Sequence, residues 1–208
     1  MKILILGSTG GTGQQLVKQS LDQNHEVTAI ARDPSRLKLT HERLTMIKGN
    51  VLDKEIVWKA LEGKEAVLSA LGLGKSLKSN DLISNAAGIL IPAMNGTNVK
   101  RLIFLSAFGV GESVRQAGFI QKIAFRLFLK NIYADKSKAD DLIRKSSLDW
   151  TLVYPVLLTD GPGTGKYKAG EKQLMRGMPK ISRTDVAEFM VRQLTDNTFM
   201  HKSPILMG

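Results

Sequence analysis

The amino-acid sequence predicts a single α/β domain, a doubly wound and mainly parallel sheet flanked by helices, and three observations predict it. Short apolar runs alternate with stretches of helical periodicity through the first half of the chain, which is the pattern of successive βαβ units. The first run, Ile3–Leu6, is apolar without interruption, as expected of a strand covered on both faces. A glycine-rich turn, Gly7-Ser8-Thr9-Gly10-Gly11-Thr12-Gly13, follows it at once and opens a helical pattern. With 208 residues, one domain can bury roughly 70% of the surface its unfolded chain exposes, so one core suffices without cross-links.

The elements follow in order. Leu16, Val17, Ser20 and Leu21 take helical spacing after the glycines, Glu26–Ala31 reads as the second strand, and Leu44–Ile47 as the third. Asp53 is placed to cap a helix running through Leu61. Glu65–Ala70 supplies a fourth strand, a helix covers about Asp81–Met94, and Arg101–Leu105 is the fifth strand. A long helical stretch with a break spans about Phe119 to Lys145. Trp150–Tyr154 is the sixth strand, halted by Pro155; Thr184–Leu194 is helical, and Ser203–Met207 is a last strand. The segment 160–180, rich in glycine and with little periodicity, is either a loop near the substrate site or a variable surface excursion.

Composition bounds the chemistry. The chain has no cysteine, which excludes disulfides, thiolate nucleophiles and thiolate metal sites. His25, His41 and His201 are scattered and the acids form no metal-ligand spacing, so no metal is expected. The formal net charge of +11 is spread along the chain rather than gathered in one tract. It is read as solvated surface, without a nucleic-acid partner. The N-terminal apolar run is too short for a secretion signal or a membrane span, so a cytoplasmic location is expected. Lys122, Arg126 and Lys130 make a basic stripe on the otherwise apolar segment Phe119–Ile132. Such a helix can lie on a membrane surface, but a core, pocket or oligomer face is the expectation, in a monomer or homodimer.

The glycine turn carries the strongest signal because of where it sits. Gly7 permits the sharp exit from the strand, Gly10 lets the backbone approach a pyrophosphate, and Gly13 lets the helix pack against the sheet. Free amide groups at the helix N-terminus favour an anion, and Ser8, Thr9 and Thr12 add short hydroxyls beside Gly11. The chain is therefore expected to be a Rossmann-type dinucleotide-binding domain. The second strand decides which nucleotide. It ends in Ala31 followed by Arg32-Asp33-Pro34-Ser35-Arg36, without the acidic residue that normally holds the ribose hydroxyls of NAD. Arg32 and Arg36 can offer charge-assisted forks to a 2′-phosphate. NADP(H) is thus favoured, NAD(H) remaining open through Asp33.

Together with the turn, Ala31-Arg32-Asp33, Gly49-Asn50-Val51-Leu52-Asp53, Ser106-Ala107-Phe108, Leu148–Val153, Leu158–Pro162 and Ile181–Ala187 resemble the atypical short-chain dehydrogenase/reductases. The likeness is to the NAD(P)H-binding proteins around biliverdin-IXβ (flavin) reductase and to NmrA-like proteins, and covers most of the chain. The resemblance implies that Asn50 and Val51 lie beside the adenine, Leu71 and Gly72 border the cofactor ribose, and Pro155 packs beside the carboxamide. It also implies that Ser106 lies near nicotinamide and substrate. Catalysis departs from the pattern. Short-chain dehydrogenases place Tyr and Lys four apart on one helical face, so that Lys lowers the tyrosine pKa. Here Lys136 takes the lysine position and Ile132 the tyrosine position, while Tyr133 is one residue late. Tyr133 is then either a displaced partner of Lys136 or an amphipathic edge residue; Lys138 points elsewhere. The resemblance implies an NAD(P)H-dependent oxidoreductase passing hydride to a small, planar acceptor such as a flavin. The missing pair leaves a non-catalytic NADP(H)-binding redox sensor or protein-binding regulator as the rival.

Overall fold

A computed structural model describes residues 1–72, 81–118, 129–175 and 177–208. The main sheet has eight strands: β1 (Lys2–Leu6), β2 (Glu26–Ala31), β3 (Leu44–Lys48), β4 (Ala66–Ser69), β5 (Arg101–Leu105), β6 (Asp149–Pro155), β10 (Ile205–Met207) and β8 (Lys168–Gly170). Their order is β3-β2-β1-β4-β5-β6-β10-β8, and only the β8–β10 pair is antiparallel. A separate parallel pair joins β7 (Leu157–Thr159) to β9 (Lys180–Ser182). The helices described are α1 (Gly11–Asp22), α2 (Lys54–Leu61), α3 (Leu82–Gly96), α4 (Lys130–Arg144) and α5 (Arg183–Arg192). α1 packs on α5, and α3 packs on both α2 and α4.

Burial follows the pattern read from the sequence. Every residue of β4 and β5 is buried, as is β1 from Ile3 to Leu6, which a parallel sheet covered by helices requires. Phe104 and Phe189 are among the largest fully buried side chains. Asp53 caps α2 as anticipated: its Oδ1 accepts from Glu55 N at 3.0 Å and Ile56 N at 3.2 Å. Strand order reverses between β1 and β4, and it is at such switch points, beyond the carboxyl ends of the strands, that open α/β sheets bind ligands.

The sixth strand ends at Pro155, one residue later than read, and β7 follows almost directly in the second sheet. The neighbouring amides explain why the strand can include Pro155. Tyr154 N and Val156 N both donate toward β10, to Pro204 O and Leu206 O, so the missing N–H of Pro155 faces β5. That strand stops at Leu105, and no ladder bond is lost. The segment 160–180 is tied to the body of the domain. It contains β8, and Asp185 Oδ1 at the start of α5 accepts from Thr164 N (2.8 Å) and Gly165 N (2.9 Å). Gln116 clasps it further on, donating to Glu171 O and accepting from Gln173 N. Of the amphipathic stretch Phe119–Ile132, residues 119–128 lie outside the described residues.

Candidate cofactor and active site

At the phosphate turn, close packing leaves no room for side chains. Gly7 has φ +77°, and a Cβ there would sit 2.5 Å from Ala70 O, while one on Gly13 would overlap the Gly7 carbonyl. Gly10 caps α1 in an extended conformation with no side-chain cap, and the first turn holds no acidic residue. The first amides of α1 are thus left without intrahelical partners at a positive helix end. Gly10 and Gly11 are exposed and Thr12 is buried. Ser8 is fully buried and its Oγ has no hydrogen-bond partner within the protein. This glycine-lined cradle, with no acidic residue in the first turn of α1, fits a pyrophosphate.

The crevice at the end of β2 is lined by Gly7, Thr9, Arg32, Asn50, Val51 and Leu71 among others, and is small at about 80 Å³. The structure thus brings Arg32, Asn50 and Val51 to the turn. Arg36 lies nearby on the 3₁₀ turn Pro34–Arg36, exposed and not part of that lining. Asp33 is turned to its own loop, accepting from Ser35 N (3.2 Å) and Ser35 Oγ (2.6 Å). That hydrogen bond to the Ser35 hydroxyl lowers its pKa; both contacts fall on Oδ1, so NAD(H) stays open through the exposed Asp33 carboxylate. Asn50 Oδ1 likewise accepts from Leu52 N at 3.1 Å.

From the turn a cleft of about 510 Å³ runs across the strand ends. Gly10, Gly11 and Thr12 line one end, Leu71 and Gly72 the middle, and Ser106, Tyr133, Lys136 and Pro155 the other. Phe108, Leu129, Val156, Leu158, Met178 and Pro179 make its wall largely apolar, so the segment 160–180 reaches it through Met178 and Pro179. A wider depression of about 850 Å³ between α3 and α4, lined by Asp81, Asn85, Lys138 and Asp141, holds none of the strand-end residues. Lys138 there pairs with Asp81 at 2.9 Å, away from the cleft.

Behind the cleft the polar groups interlock. Lys136 Nζ donates to Leu105 O (3.1 Å) and Ser106 O (3.2 Å), fixing the end of β5. Burial lowers its pKa to about 8. Tyr133, half-buried, donates to Phe108 O at 2.9 Å, and burial raises its pKa to about 12. Ser106 Oγ and Tyr154 OH both donate to Asp140 Oδ2 at 2.8 Å, and Arg144 Nη2 donates to Tyr154 OH at 2.5 Å. Asp140 is wholly buried, and desolvation raises its pKa to about 6. Sequence reasoning missed Asp140, Tyr154 and Arg144. The available signal was charge at core spacing: Lys136, Asp140 and Ile143 form the buried stripe of α4 with Ala139, where an amphipathic helix should be apolar. Arg183 was missed too; its Cδ would meet a Cβ on Gly11 at 2.7 Å, so it lies over the turn while pairing with Asp160 at 2.8 Å.

Residues 7–197 match the family model described as NAD(P)H-binding. The chain belongs to the NAD(P)H-binding family. A protein named as an uncharacterised sugar epimerase, YhfK of Bacillus subtilis (strain 168), is 30% identical over 206 residues, covering 94% of this chain and 89% of its own. The oxidoreductase YlbE of Lactococcus lactis superposes with a TM-score of 0.84 at 25% identity, covering all of this chain and 91% of its own. An anaerobillin reductase, ChuY of Escherichia coli O157:H7, has a TM-score of 0.83 at 21% identity, covering 100% and 97%, and shares the fold. The solved structures share the Rossmann-like architecture with this chain.

Proposed function

We propose that the protein is an NADPH-dependent reductase that passes hydride directly to a flavin or another planar conjugated acceptor. The observation that carries this is the continuity of one cleft, from the backbone cradle at Gly10–Thr12 to Ser106, Tyr133 and Lys136. NADPH, when bound, supplies the hydride. The amides of the turn hold the pyrophosphate, Arg32 and Arg36 take the 2′-phosphate, Asn50 and Val51 border the adenine, and Leu71, Gly72 and Pro155 line the path to the nicotinamide. The apolar wall around Phe108, Leu129 and Met178 excludes water and gives a flat acceptor a surface to stack on. Lys136 is spent on two carbonyls and Tyr133 on a third, so neither supplies the acid that the Tyr–Lys pair gives the usual short-chain dehydrogenase.

Titration calorimetry of NADPH and NADH, followed by NADPH oxidation with FMN as acceptor, tests the reading. Preferential NADPH binding with turnover is expected. The same engagement of Tyr133 and Lys136 favours a second reading, an NADP(H)-binding sensor, which predicts binding without turnover on any flavin or dye acceptor. No binding of either nucleotide ends both.

A further inference from the structure

We propose that Asp140, buried behind Ser106, is the positioning residue that sets the direction of the Ser106 hydrogen bond and stores the proton that Ser106 hands to a reduced acceptor. This rests on the reductase reading above.

The geometry is unusual for a structural carboxylate. One oxygen, Oδ2, accepts from both Ser106 Oγ and Tyr154 OH, while Oδ1 is buried with no partner. An ionised carboxylate left half-satisfied in the interior is costly. The charged and titratable groups facing it are Lys136 and Arg144 on its own helix and Tyr154 on β6. Asp135, on the same helix, has its carboxylate occupied by Ile83 N and Ser84 N of α3. Burial outweighs the hydrogen bonds and both cations, and lifts the group to about 6.

Two states follow. With Asp140 ionised, Ser106 donates inward and can only accept from the cleft it lines. With Asp140 protonated, the carboxyl O–H donates to Ser106 Oγ, and the Ser106 proton is released toward the cleft. In the transfer, the electron pair of the acceptor made anionic by hydride takes the Ser106 proton. The Ser106 O–H bond breaks as the Asp140 proton forms a new one, and the carboxylate left behind is reprotonated from solvent.

The test uses NADPH with FMN as probe acceptor between pH 5 and 9, for wild type and Asp140→Asn, together with carboxyl titration of the nucleotide-free protein by ¹³C NMR. For wild type, kcat is expected to fall about tenfold per pH unit above 6. In Asp140→Asn that limb disappears, with NADPH affinity within twofold of wild type. The Asp140 carboxyl is expected to titrate near 6 and to move upward in Ser106→Ala, which removes a bond to its ionised form. A wild-type pH limb retained in Asp140→Asn overturns the proposal, as does a carboxyl titrating below 5. Should Asp140→Asn not fold, Ser106→Ala decides in its place by losing or keeping the limb. Absence of NADPH oxidation by wild type sinks the reductase reading instead. The NMR titration then decides Asp140 alone, a pKa near 6 that responds to Ser106→Ala keeping the coupled pair.

Discussion

At the phosphate turn the cleft is walled by three consecutive residues, Gly10 to Thr12, whereas its far end rests on side chains just after β5 and on α4 and β6 that lie up to 48 residues apart, from Ser106 to Tyr154. The first end works by excluding atoms: close packing forbids side chains at Gly7 and Gly13, and what remains is a row of amides at a helix terminus. Its affinity for an anion does not titrate near neutrality. The second end works by burying charge, with Lys136 and Asp140 both shifted toward neutrality by desolvation. It is therefore sensitive to pH. One end of the cleft is fixed by sterics and the other balanced by electrostatics, and mutations should divide along that line.

The largest effect is expected at the steric end. Gly13→Ala drives a Cβ into the Gly7 carbonyl, and since that neighbour is backbone it cannot step aside. A loss of about 3 kcal/mol in stability is expected, with loss of nucleotide binding, read by urea unfolding and calorimetry. Wild-type stability and tight NADPH binding in the variant would mean that the turn is looser than its packing implies.

The electrostatic end is next. The folded-state pKa of Asp140 is raised from 3.8 to about 6, so the folded protein binds this proton more tightly than the unfolded chain does. Its contribution is therefore fully present below about pH 4 and is lost as pH rises through 6, to the extent of about 3 kcal/mol. Unfolding curves at pH 4.5 and 7.5 should show about 2 kcal/mol of that decline in wild type and a flatter profile in Asp140→Asn. Parallel profiles would place the ionisation elsewhere.

Arg32→Ala sharpens the comparison at the nucleotide's far reach. NADPH affinity should fall about ten- to a hundredfold, the 1.5–3 kcal/mol of a charge-assisted bond, with NADH binding unchanged. Equal loss for both nucleotides would remove Arg32 as the phosphate reader. The smallest effect belongs to Tyr133→Phe, which deletes one hydrogen bond to Phe108 O. It should cost about 1 kcal/mol in stability and leave the pH profile of turnover in place. A profile that shifts would make Tyr133 part of the proton path.

What could be read from the chain in advance follows the same division. The six leading strands, the cap at Asp53 and the glycine turn are local: each depends on residues adjacent in sequence, whose periodicity and turn chemistry act within a few positions. The short strands β7, β8 and β9 were not legible, because they flank or interrupt a glycine-rich stretch without periodicity and form only against distant partners, whereas the equally short β10 is an uninterrupted apolar run, Ile205–Met207.

The sequence by itself therefore determined the Rossmann-type sheet, the phosphate cradle and the arginine beside the second strand, because hydrophobic pattern and glycine sterics are properties of neighbouring residues. Only the tertiary structure decided that Arg183 crosses the cradle and that Asp140 stands behind Ser106. Burial and the charges facing a group set its proton affinity, and both come from parts of the chain that meet only when the sheet and its helices close.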